Sequence, residues 1–208
     1  MTESSGSTLE RIHEAARREF LEKGYRSASL RCIVKAAGVT TGALYGYYKS
    51  KEALFAALVE EPYHYVLNTY REAVFGFEAL RPEEQMVQMG EVGKRCMREL
   101  LTYMDARRTE FHLILECADG TSYAGLIDAL VALEVAATER YCQVLRALGH
   151  EVPNIDRRLE HMLVTGMMNA YCEIIIHDMA MEDARQYMEA LGDFYTAGWL
   201  KIMGQKAL

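Results

Sequence analysis

Residues 36–54, AAGVTTGALYGYYKSKEAL, concentrate side chains that form hydrogen bonds with other molecules. The stretch contains three tyrosines, two threonines and three glycines, and two lysines follow close behind the last tyrosine. Hydroxyl and ammonium groups suit contacts with phosphates and base edges, whereas a core helix would carry apolar side chains in their place. The composition of this stretch therefore indicates a polar binding surface.

A second group of reactive side chains lies in the middle of the chain. His112 and Glu116 are four residues apart, which places them on one face of a helix, and Cys117 is adjacent. Pairs at this spacing are common by chance in helical sequence, so we expect neither a metal site nor a cofactor. Further candidate metal ligands are His161, Glu173 and His177.

The sequence motifs of the common enzyme classes do not occur in this chain. It has no phosphate loop, no dinucleotide-binding glycine pattern, no His-Glu-x-x-His and no Gly-x-Ser-x-Gly. We therefore expect a protein that is not an enzyme. The alternative is an all-helical enzyme or small-molecule-binding protein that uses His112 and Glu116 in a pocket formed within residues 51–208.

Composition limits the class of protein further. The chain has 208 residues, half of them hydrophobic, which is enough for a packed core. Its five cysteines are an odd number and never form a Cys-x-x-Cys pair, so we expect reduced, mostly buried thiols. Neither a signal-peptide pattern nor an apolar run of about 18 residues occurs. These features predict a cytoplasmic protein without a membrane partner.

Charge is distributed unevenly along the chain. Residues 1–51 contain nine Lys and Arg against five Asp and Glu, although the whole chain has a net charge of −7. A basic N-terminal segment, the head (residues 1–51), therefore precedes an acidic remainder, the body (residues 52–208). This distribution suits a nucleic-acid contact in the head, and chance variation among solvated faces explains it equally well.

Apolar residues recur at three- and four-residue intervals throughout, which predicts an all-α fold. Thr8 is expected to cap a first helix that Gly24 ends. Ser29 is expected to cap a short second helix that ends at Gly38, and Thr40 to cap a third.

The rest of the chain is predicted to form longer helices. Ser50 opens a fourth helix that extends to about Leu80, with a kink near Pro62. An amphipathic helix follows Pro82, another ends near Leu148, and two more complete the body.

Two short helices joined by Gly-Val-Thr are typical of a helix-turn-helix unit. The glycine permits the left-handed turn, and the threonine caps the second helix, which in such units enters the major groove of DNA. We expect Leu44 and Tyr48 to pack inward, with the Tyr48 hydroxyl needing a partner. The exposed, DNA-facing positions are then Thr40, Thr41, Gly42, Tyr45 and Tyr47.

The segments AARREFLEKGY, IVKAAGV and GALYGYYKSKEAL resemble the DNA-binding domain of the TetR family of bacterial transcriptional repressors. The resemblance implies a helix-turn-helix domain at residues 1–50, whose first seven residues form a disordered tail, and a helical ligand-binding and dimerisation domain at residues 51–208. Carried over by position, it implies that the residues facing bases are Arg31, Thr41, Gly42 and Tyr45. Those holding phosphates are Ser29, Thr40, Tyr47 and Lys51.

The resemblance also implies partners. Members of this family act as homodimers on a double-stranded, palindromic operator, and a small-molecule inducer releases them. On this basis we expect a DNA operator, an inducer and a second copy of the chain as the partners of this protein.

Two stripes of residues in the last two helices favour a dimer. Their glycines and alanine would let helices approach closely, as in a four-helix bundle formed by two pairs. An intramolecular core explains the same stripes equally well. The candidate interface residues are Leu163, Gly166, Ala170 and Ile174 in one stripe and Leu191, Phe194, Gly198 and Ile202 in the other.

Methionine and aromatic residues are dense in the predicted fifth to seventh helices. Methionine tolerates irregular and adaptable surfaces, which suits a cavity for a largely apolar inducer oriented by one or two hydrogen bonds. The candidate ligand-binding residues are Met86, Met89, Met97, Tyr103, Phe111 and Tyr123, with His112 and Glu116 as the nearest polar groups.

Overall fold

The computed structural model describes residues 7–205, and every regular element in that range is helical, which confirms the predicted all-α fold. The helices are α1 (Thr8–Ser27), α2 (Leu30–Ala37), α3 (Thr41–Tyr47), α4 (Lys51–Glu78), α5 (Pro82–Asp105), α6 (Arg108–His112), α7 (Leu126–Ala147), α8 (Arg157–Ile176) and α9 (Met181–Ile202), with a π-helical turn at Leu113–Cys117.

The chain forms two compact units. The first contains the described residues up to His64 together with Arg107–Ala124, and the second contains Tyr65–Ala106 and the described residues from Gly125 onward. The first unit is larger than the segment expected for DNA binding, residues 1–50, because the beginning of α4 and a segment distant in sequence join it. The boundary expected after residue 50 therefore stays a prediction about which residues form the DNA-binding domain.

Helix α1 begins with a capping box. The Ser7 side chain accepts a hydrogen bond from the Glu10 N–H, and the Glu10 carboxylate accepts one from the Ser7 N–H. The cap expected at Thr8 is therefore wrong by one residue, and Ser7, which the expected tail included, is the N-cap. Residues 1–6, the rest of that expected tail, lie outside the described range.

Helical geometry in α1 is interrupted where the sequence predicted its end. Gly24 has φ 70° and ψ 164°, a conformation that side-chain-bearing residues rarely adopt. The interruption supplies the free carbonyl groups whose partner is described below.

The core of the first unit is formed by the inner face of α1. Ile12 and Phe20 are fully buried, and the Phe20 ring meets the Phe55 ring edge to face, with centroids 5.0 Å apart. Arg17 and Arg26 of α1 form ion pairs with Glu110 and Asp119, with N–O distances of 3.2 and 3.0 Å. These contacts hold residues 107–124 against α1.

The second unit is a helical bundle formed by the last part of α4 with α5, α7, α8 and α9. Its most deeply buried side chains include Leu100, Leu145, Met168 and Ile174. Helix α4 runs without a break through Pro62, so a kink there stays a prediction.

The thiols are mostly buried, as the sequence predicts. Four cysteines are buried, and burial raises the pKa of Cys96 and of Cys172 to about 12. Cys32 on α2 is exposed.

None of the helices in residues 7–205 combines the length and the apolar character that a membrane span requires.

Candidate nucleic-acid interface and ligand cavity

The turn between α2 and α3 has the geometry of a helix-turn-helix. Gly38 adopts a left-handed conformation, with φ 63° and ψ 36°, as the sequence predicts. The Thr40 hydroxyl accepts a hydrogen bond from the Ala43 N–H at 3.1 Å, which caps α3. Leu44 is buried with 1% of its surface exposed. The inner face and the start of α3 are thus fixed by local contacts.

Tyr48, at the end of α3, packs inward as predicted. Its hydroxyl group lies 2.5 Å from the Nε2 atom of His13 on α1. Burial raises the pKa of the Tyr48 hydroxyl and lowers the pKa of His13, which Arg17 also lowers. The neutral forms of both groups are favoured, and their contact ties the end of α3 to α1.

The outer face of α3 is polar and makes few contacts within the protein. Tyr45 and Tyr47 are 53% and 50% exposed, and their hydroxyl groups form no hydrogen bond with any residue in the 7–205 range. Thr41 and Gly42 are also exposed. A Cβ at Gly42 would approach only the Thr40 hydroxyl, at 3.9 Å, so no internal packing requires glycine there.

Helix α2 presents two of the expected contacts. Arg31 is exposed and forms no ion pair with any described residue. Ser29 occupies the N-cap position, but its side chain makes no capping bond. Its N–H instead donates to the Glu19 carboxylate at 3.0 Å, so only the position of the predicted cap is confirmed.

Lys51 has a structural role that the sequence did not reveal. Its ammonium group donates to the carbonyl oxygens of Tyr25, Arg26 and Ala28, at 2.6, 3.0 and 3.1 Å. The ammonium also lies 4.6 Å from the centre of the Tyr25 ring. A lysine has three N–H donors, and the carbonyls freed at the end of α1 accept all three. A phosphate contact by Lys51 would have to replace these bonds.

Lys49 is a positively charged residue close to α3 whose ammonium group remains available for a phosphate contact. It is exposed, lies two residues beyond the last residue of α3, and forms no ion pair in the described part of the chain. The sequence placed both lysines in the same stretch, and only the long-range contacts of Lys51 distinguish them.

The second unit contains a cavity of about 150 Å³. Its wall is mostly aromatic and sulfur-containing, and it is formed by residues from α4, α5, α7, α8 and α9. The aromatic residues are Tyr70, Phe77, Tyr141, Tyr171, Tyr195 and Trp199, and the methionines are Met89, Met97, Met167, Met168 and Met203.

A hydrogen-bonded polar pair lies in this cavity wall. The Tyr70 hydroxyl donates to Glu134 Oε2 at 2.6 Å. Burial raises the pKa of the Glu134 carboxyl, an effect that the bond from Tyr70 partly offsets. Burial also raises the pKa of Tyr70, and the nearby Glu134 raises it further. Glu134 interrupts an apolar run, LVALEVAA, which is the sequence signal that could have identified it.

The predicted ligand residues do not all meet at this cavity. Met89 and Met97 line it, whereas Met86 and Tyr103 lie elsewhere in the second unit, where Tyr103 stacks on Tyr65 with centroids 3.6 Å apart. The other four are part of the first unit and are not in the wall of this cavity: Phe111, His112, Glu116 and Tyr123.

The His112 and Glu116 side chains interact with each other. His112 Nδ1 lies 2.5 Å from Glu116 Oε2, and the Glu116 side chain is 44% exposed. Neither residue lines the cavity of the second unit. In the described range, no three His, Cys, Asp or Glu side chains cluster as metal ligands would.

Two glycines allow α5 and α9 to approach each other beside the cavity. A Cβ at Gly90 would lie 2.7 Å from Thr196 Cγ2, and a Cβ at Gly192 would lie 2.6 Å from Lys94 Cγ. Both distances are shorter than real contacts of a Cβ atom. The ammonium of Lys94 is held by Glu91 at 2.6 Å and Asp193 at 3.1 Å.

The expected dimer residues lie mainly at the surface of the second unit. Phe194 is 69% exposed, and Gly166 and Gly198 are exposed. Leu163, Ala170, Leu191 and Ile202 are half-buried. Ile174 is only 2% exposed because it packs inside the unit, so it is not available to a second copy. The exposed apolar surface of α8 and α9 also includes Leu159, Met162 and Tyr187.

Comparison with known proteins supports the interpretation of the N-terminal segment as a helix-turn-helix domain. Residues 12–58 match the profile of bacterial regulatory proteins of the tetR family. The HTH-type transcriptional regulator UidR of Escherichia coli K12 is 39% identical over 69 residues, which are 33% of this chain and 35% of UidR. The HTH-type transcriptional repressor Rv1474c of Mycobacterium tuberculosis is 42% identical over 50 residues, 24% of this chain and 27% of that protein. The chain thus spans about a third of the length of the curated relatives it matches.

Solved structures resemble the chain along nearly its whole length. A bacterial regulatory protein in the tetR family from Rhodococcus RHA1 has a TM-score of 0.62 at 18% identity, covering 98% of this chain and 100% of the other. GusR of Salmonella enterica has a TM-score of 0.57 at 22% identity, covering 96% and 98%. At these identities the likeness establishes the fold, a helix-turn-helix head followed by a helical domain. The head of the chain thus resembles the tetR family in sequence, and the whole chain resembles solved tetR-family structures in fold.

Proposed function

We propose that the protein is a ligand-responsive transcriptional regulator. It binds a palindromic DNA operator in the cytoplasm as a homodimer, and a small, largely apolar inducer releases it. The observation that carries this proposal is the outer face of α3, where exposed hydroxyl groups lack partners in the described chain although the inner face is fully packed. Groups arranged in this way suit a partner outside the protein.

The DNA contacts follow from exposure and chemistry. Arg31, Thr41, Gly42 and Tyr45 face bases in this proposal. Ser29, Thr40 and Tyr47 face phosphates. Lys49 joins this second group in place of Lys51, because the ammonium of Lys51 is already bound by three carbonyl oxygens.

Repression is the direction of control that we propose. One of the relatives is named a transcriptional repressor, and another is named a transcriptional regulator. A repressor that dissociates on binding its ligand requires no further interaction surface on the protein. No enzymatic step is part of the proposal.

The second copy of the chain would pack on α8 and α9. The exposed apolar residues of these helices lie close to small residues such as Gly166 and Gly198, which suits close helix packing in a four-helix arrangement. A two-fold dimer presents two copies of α3 to successive major grooves, so the operator has matching half-sites.

The inducer would occupy the cavity of the second unit. Its binding can weaken operator affinity only to the extent that it favours the DNA-free state. Each tenfold loss of operator affinity requires about 1.4 kcal/mol of difference in inducer binding between the two states.

Selection of bound sequences from random duplex DNA tests the regulatory role directly. We expect a palindrome whose half-sites are separated by about one turn of the double helix or more. Recovery of unrelated sequences without a shared motif would contradict the proposal.

The dimer is tested by Gly198→Arg. Gly198 is exposed and a Cβ there meets nothing within 4 Å, so arginine fits the isolated chain but not a close helix contact. We expect monomers and loss of operator binding with helicity retained. The matched control is Gly76→Arg, at an exposed glycine of α4 with equally open surroundings, which should stay dimeric. A wild-type protein that sediments as a monomer at micromolar concentration would overturn the proposed assembly.

A further inference from the structure

The cavity of the second unit places one acidic side chain among aromatic rings. Glu134 and Lys94 are the charged residues in its wall, and six aromatic side chains and five methionines form most of the remainder. Glu134 is half-buried there, and a carboxylate in apolar surroundings loses part of its hydration unless other groups replace the water.

Lys94 does not neutralise Glu134. The Lys94 ammonium is held by Glu91 and Asp193, at 2.6 and 3.1 Å. No ion pair of Glu134 occurs in residues 7–205, and its Oε1 atom accepts no hydrogen bond there, whereas Oε2 accepts one from Tyr70. One carboxylate oxygen is therefore available to a molecule in the cavity.

The half-buried Glu134 carboxylate would be stabilised by a cation in the cavity. Burial raises the pKa of Glu134, and within the described chain only the bond from Tyr70 opposes this effect. A cation at Oε1 would supply that compensation through a charge-assisted hydrogen bond. The faces of the surrounding rings attract the same kind of ligand, because their π electrons interact favourably with organic cations.

Volume limits the size of the ligand. A cavity of about 150 Å³ is comparable to apolar protein cavities that accommodate benzene. One ring with a short aminoalkyl group is therefore close to the upper limit without movement of the wall, although methionine side chains can adjust.

We propose that this cavity binds a small protonated organic amine with one aromatic ring, whose ammonium group donates to Glu134 Oε1 while its ring packs against the aromatic and methionine side chains. The proposal rests on the proposed function, since it names the chemical class of the inducer. Tyr70 orients the Glu134 carboxylate through its bond to Oε2.

Calorimetric titration of the full chain with three probes of similar shape tests the proposal. Benzylamine carries the positive charge, benzyl alcohol is neutral and benzoate is negative. We expect benzylamine to bind about tenfold more tightly than either of the others, or better, as a hydrogen bond between charged groups would give. Equal or tighter binding of benzyl alcohol or benzoate, or no measurable binding of benzylamine, would overturn it.

Three variants assign the preference to Glu134. Glu134→Gln should abolish the preference for benzylamine over benzyl alcohol, and Glu134→Asp, which keeps the charge, should retain it at lower affinity. Glu160→Gln is the matched control, because Glu160 is a buried acid of the same unit that does not line the cavity. The comparison of the three probes on the wild-type chain needs no variant, so a variant that fails to fold leaves that test intact. A preference that survives Glu134→Gln would refute the role of this carboxylate.

Operator titration with and without benzylamine separates this inference from the proposed function. If the amine binds through Glu134 and operator affinity is unchanged, the ligand class is supported and the proposed inducer role fails. If the protein binds its operator but binds no amine, this inference alone fails.

Discussion

Tyrosine serves opposite purposes in the two units of this protein. On α3, Tyr45 and Tyr47 are half exposed, and their hydroxyl groups have no partner in the described chain. In the second unit, Tyr70 is 8% exposed, and its hydroxyl donates to Glu134. The hydroxyl groups of Tyr45 and Tyr47 thus take no part in the interactions that stabilise the fold, whereas the Tyr70 hydroxyl in the cavity wall does.

This difference determines what a substitution does. Removing an exposed side chain without a partner changes the unfolding free energy by about 0.5 kcal/mol or less, so its effect falls on binding. Removing one member of the Tyr70–Glu134 pair leaves the other without its partner, so we expect stability and ligand binding to change together. The predictions below test whether the two units separate in this way.

The largest effect is expected for the two lysines that follow α3. Lys51→Ala removes three hydrogen bonds to carbonyl oxygens at the end of α1, and we expect the unfolding free energy to fall by about 2 kcal/mol, measured by urea denaturation. Lys49→Ala should leave stability unchanged and weaken binding to all duplexes alike, reducing the salt dependence by about one ion. If Lys51→Ala is as stable as the wild type, its contacts with the carbonyl groups are not structural.

Tyr45→Ala is expected to cost about 1 to 3 kcal/mol of specific operator binding and to weaken the preference at one or two base pairs. Its stability should be close to that of the wild type, because the ring is 53% exposed. Tyr48→Phe provides the contrast, since loss of the bond to His13 should lower stability by about 1 kcal/mol. Gel-shift titration and urea denaturation measure the two quantities. A Tyr45→Ala variant that binds its operator normally would show that α3 does not dock as proposed.

Gly42→Ala is expected to stabilise the first unit by up to about 1 kcal/mol, because alanine favours the helix and nothing within the protein opposes its methyl group. The same methyl group should weaken operator binding if the backbone of α3 approaches DNA at this point. Gly46→Ala is the control, at a second exposed glycine of α3 with open surroundings. Unchanged operator affinity of Gly42→Ala would remove residue 42 from the interface.

The smallest effect is a dependence of stability on pH. The pKa of Glu134 is raised above 4.5 in the folded protein by burial, so the folded state retains this proton to a higher pH than the unfolded state does. The stability contributed by this group is complete below about pH 4.5 and declines as pH rises through the raised pKa. The other ionisable groups near Glu134 are Tyr70 on α4, Cys96 on α5, and Glu160 and Tyr171 on α8.

Glu134→Gln lacks this proton, so its stability relative to the wild type should increase between pH 4.5 and pH 7. Thermal denaturation of both proteins across this range measures the difference. A constant difference would show that the Glu134 carboxyl titrates normally.

Much of the first unit could be predicted because its determinants are local in sequence. The turn at Gly38, the cap at Thr40 and the inward side of α3 each depend on residues a few positions apart. The exposed face of α3 follows from the same helical period. The role of Lys51 could not be predicted, because its carbonyl partners lie more than twenty residues earlier in the chain.

The cavity was harder to predict for the same reason. An apolar stripe indicates that a helix face is buried, but not which helices cover it. Residues that follow α5 in sequence, such as Phe111 and Tyr123, pack in the first unit and do not line this cavity, although proximity in sequence grouped them with Met89 and Met97. The hydrogen bond between Tyr70 and Glu134 joins residues 64 positions apart in the sequence.

The close approach of α5 and α9 has a consequence for how such proteins diverge. A methyl group at Gly90 would have to displace Thr196, and one at Gly192 would have to displace the stem of Lys94, so both positions tolerate only the smallest residue without repacking. The methionines of the cavity wall are under no such restriction, because flexible side chains can exchange with others of similar volume. Among descendants of a common ancestor, we therefore expect these two glycines to be retained while the other residues of the cavity wall vary. The ligand selectivity of the cavity could then change without loss of the helical bundle.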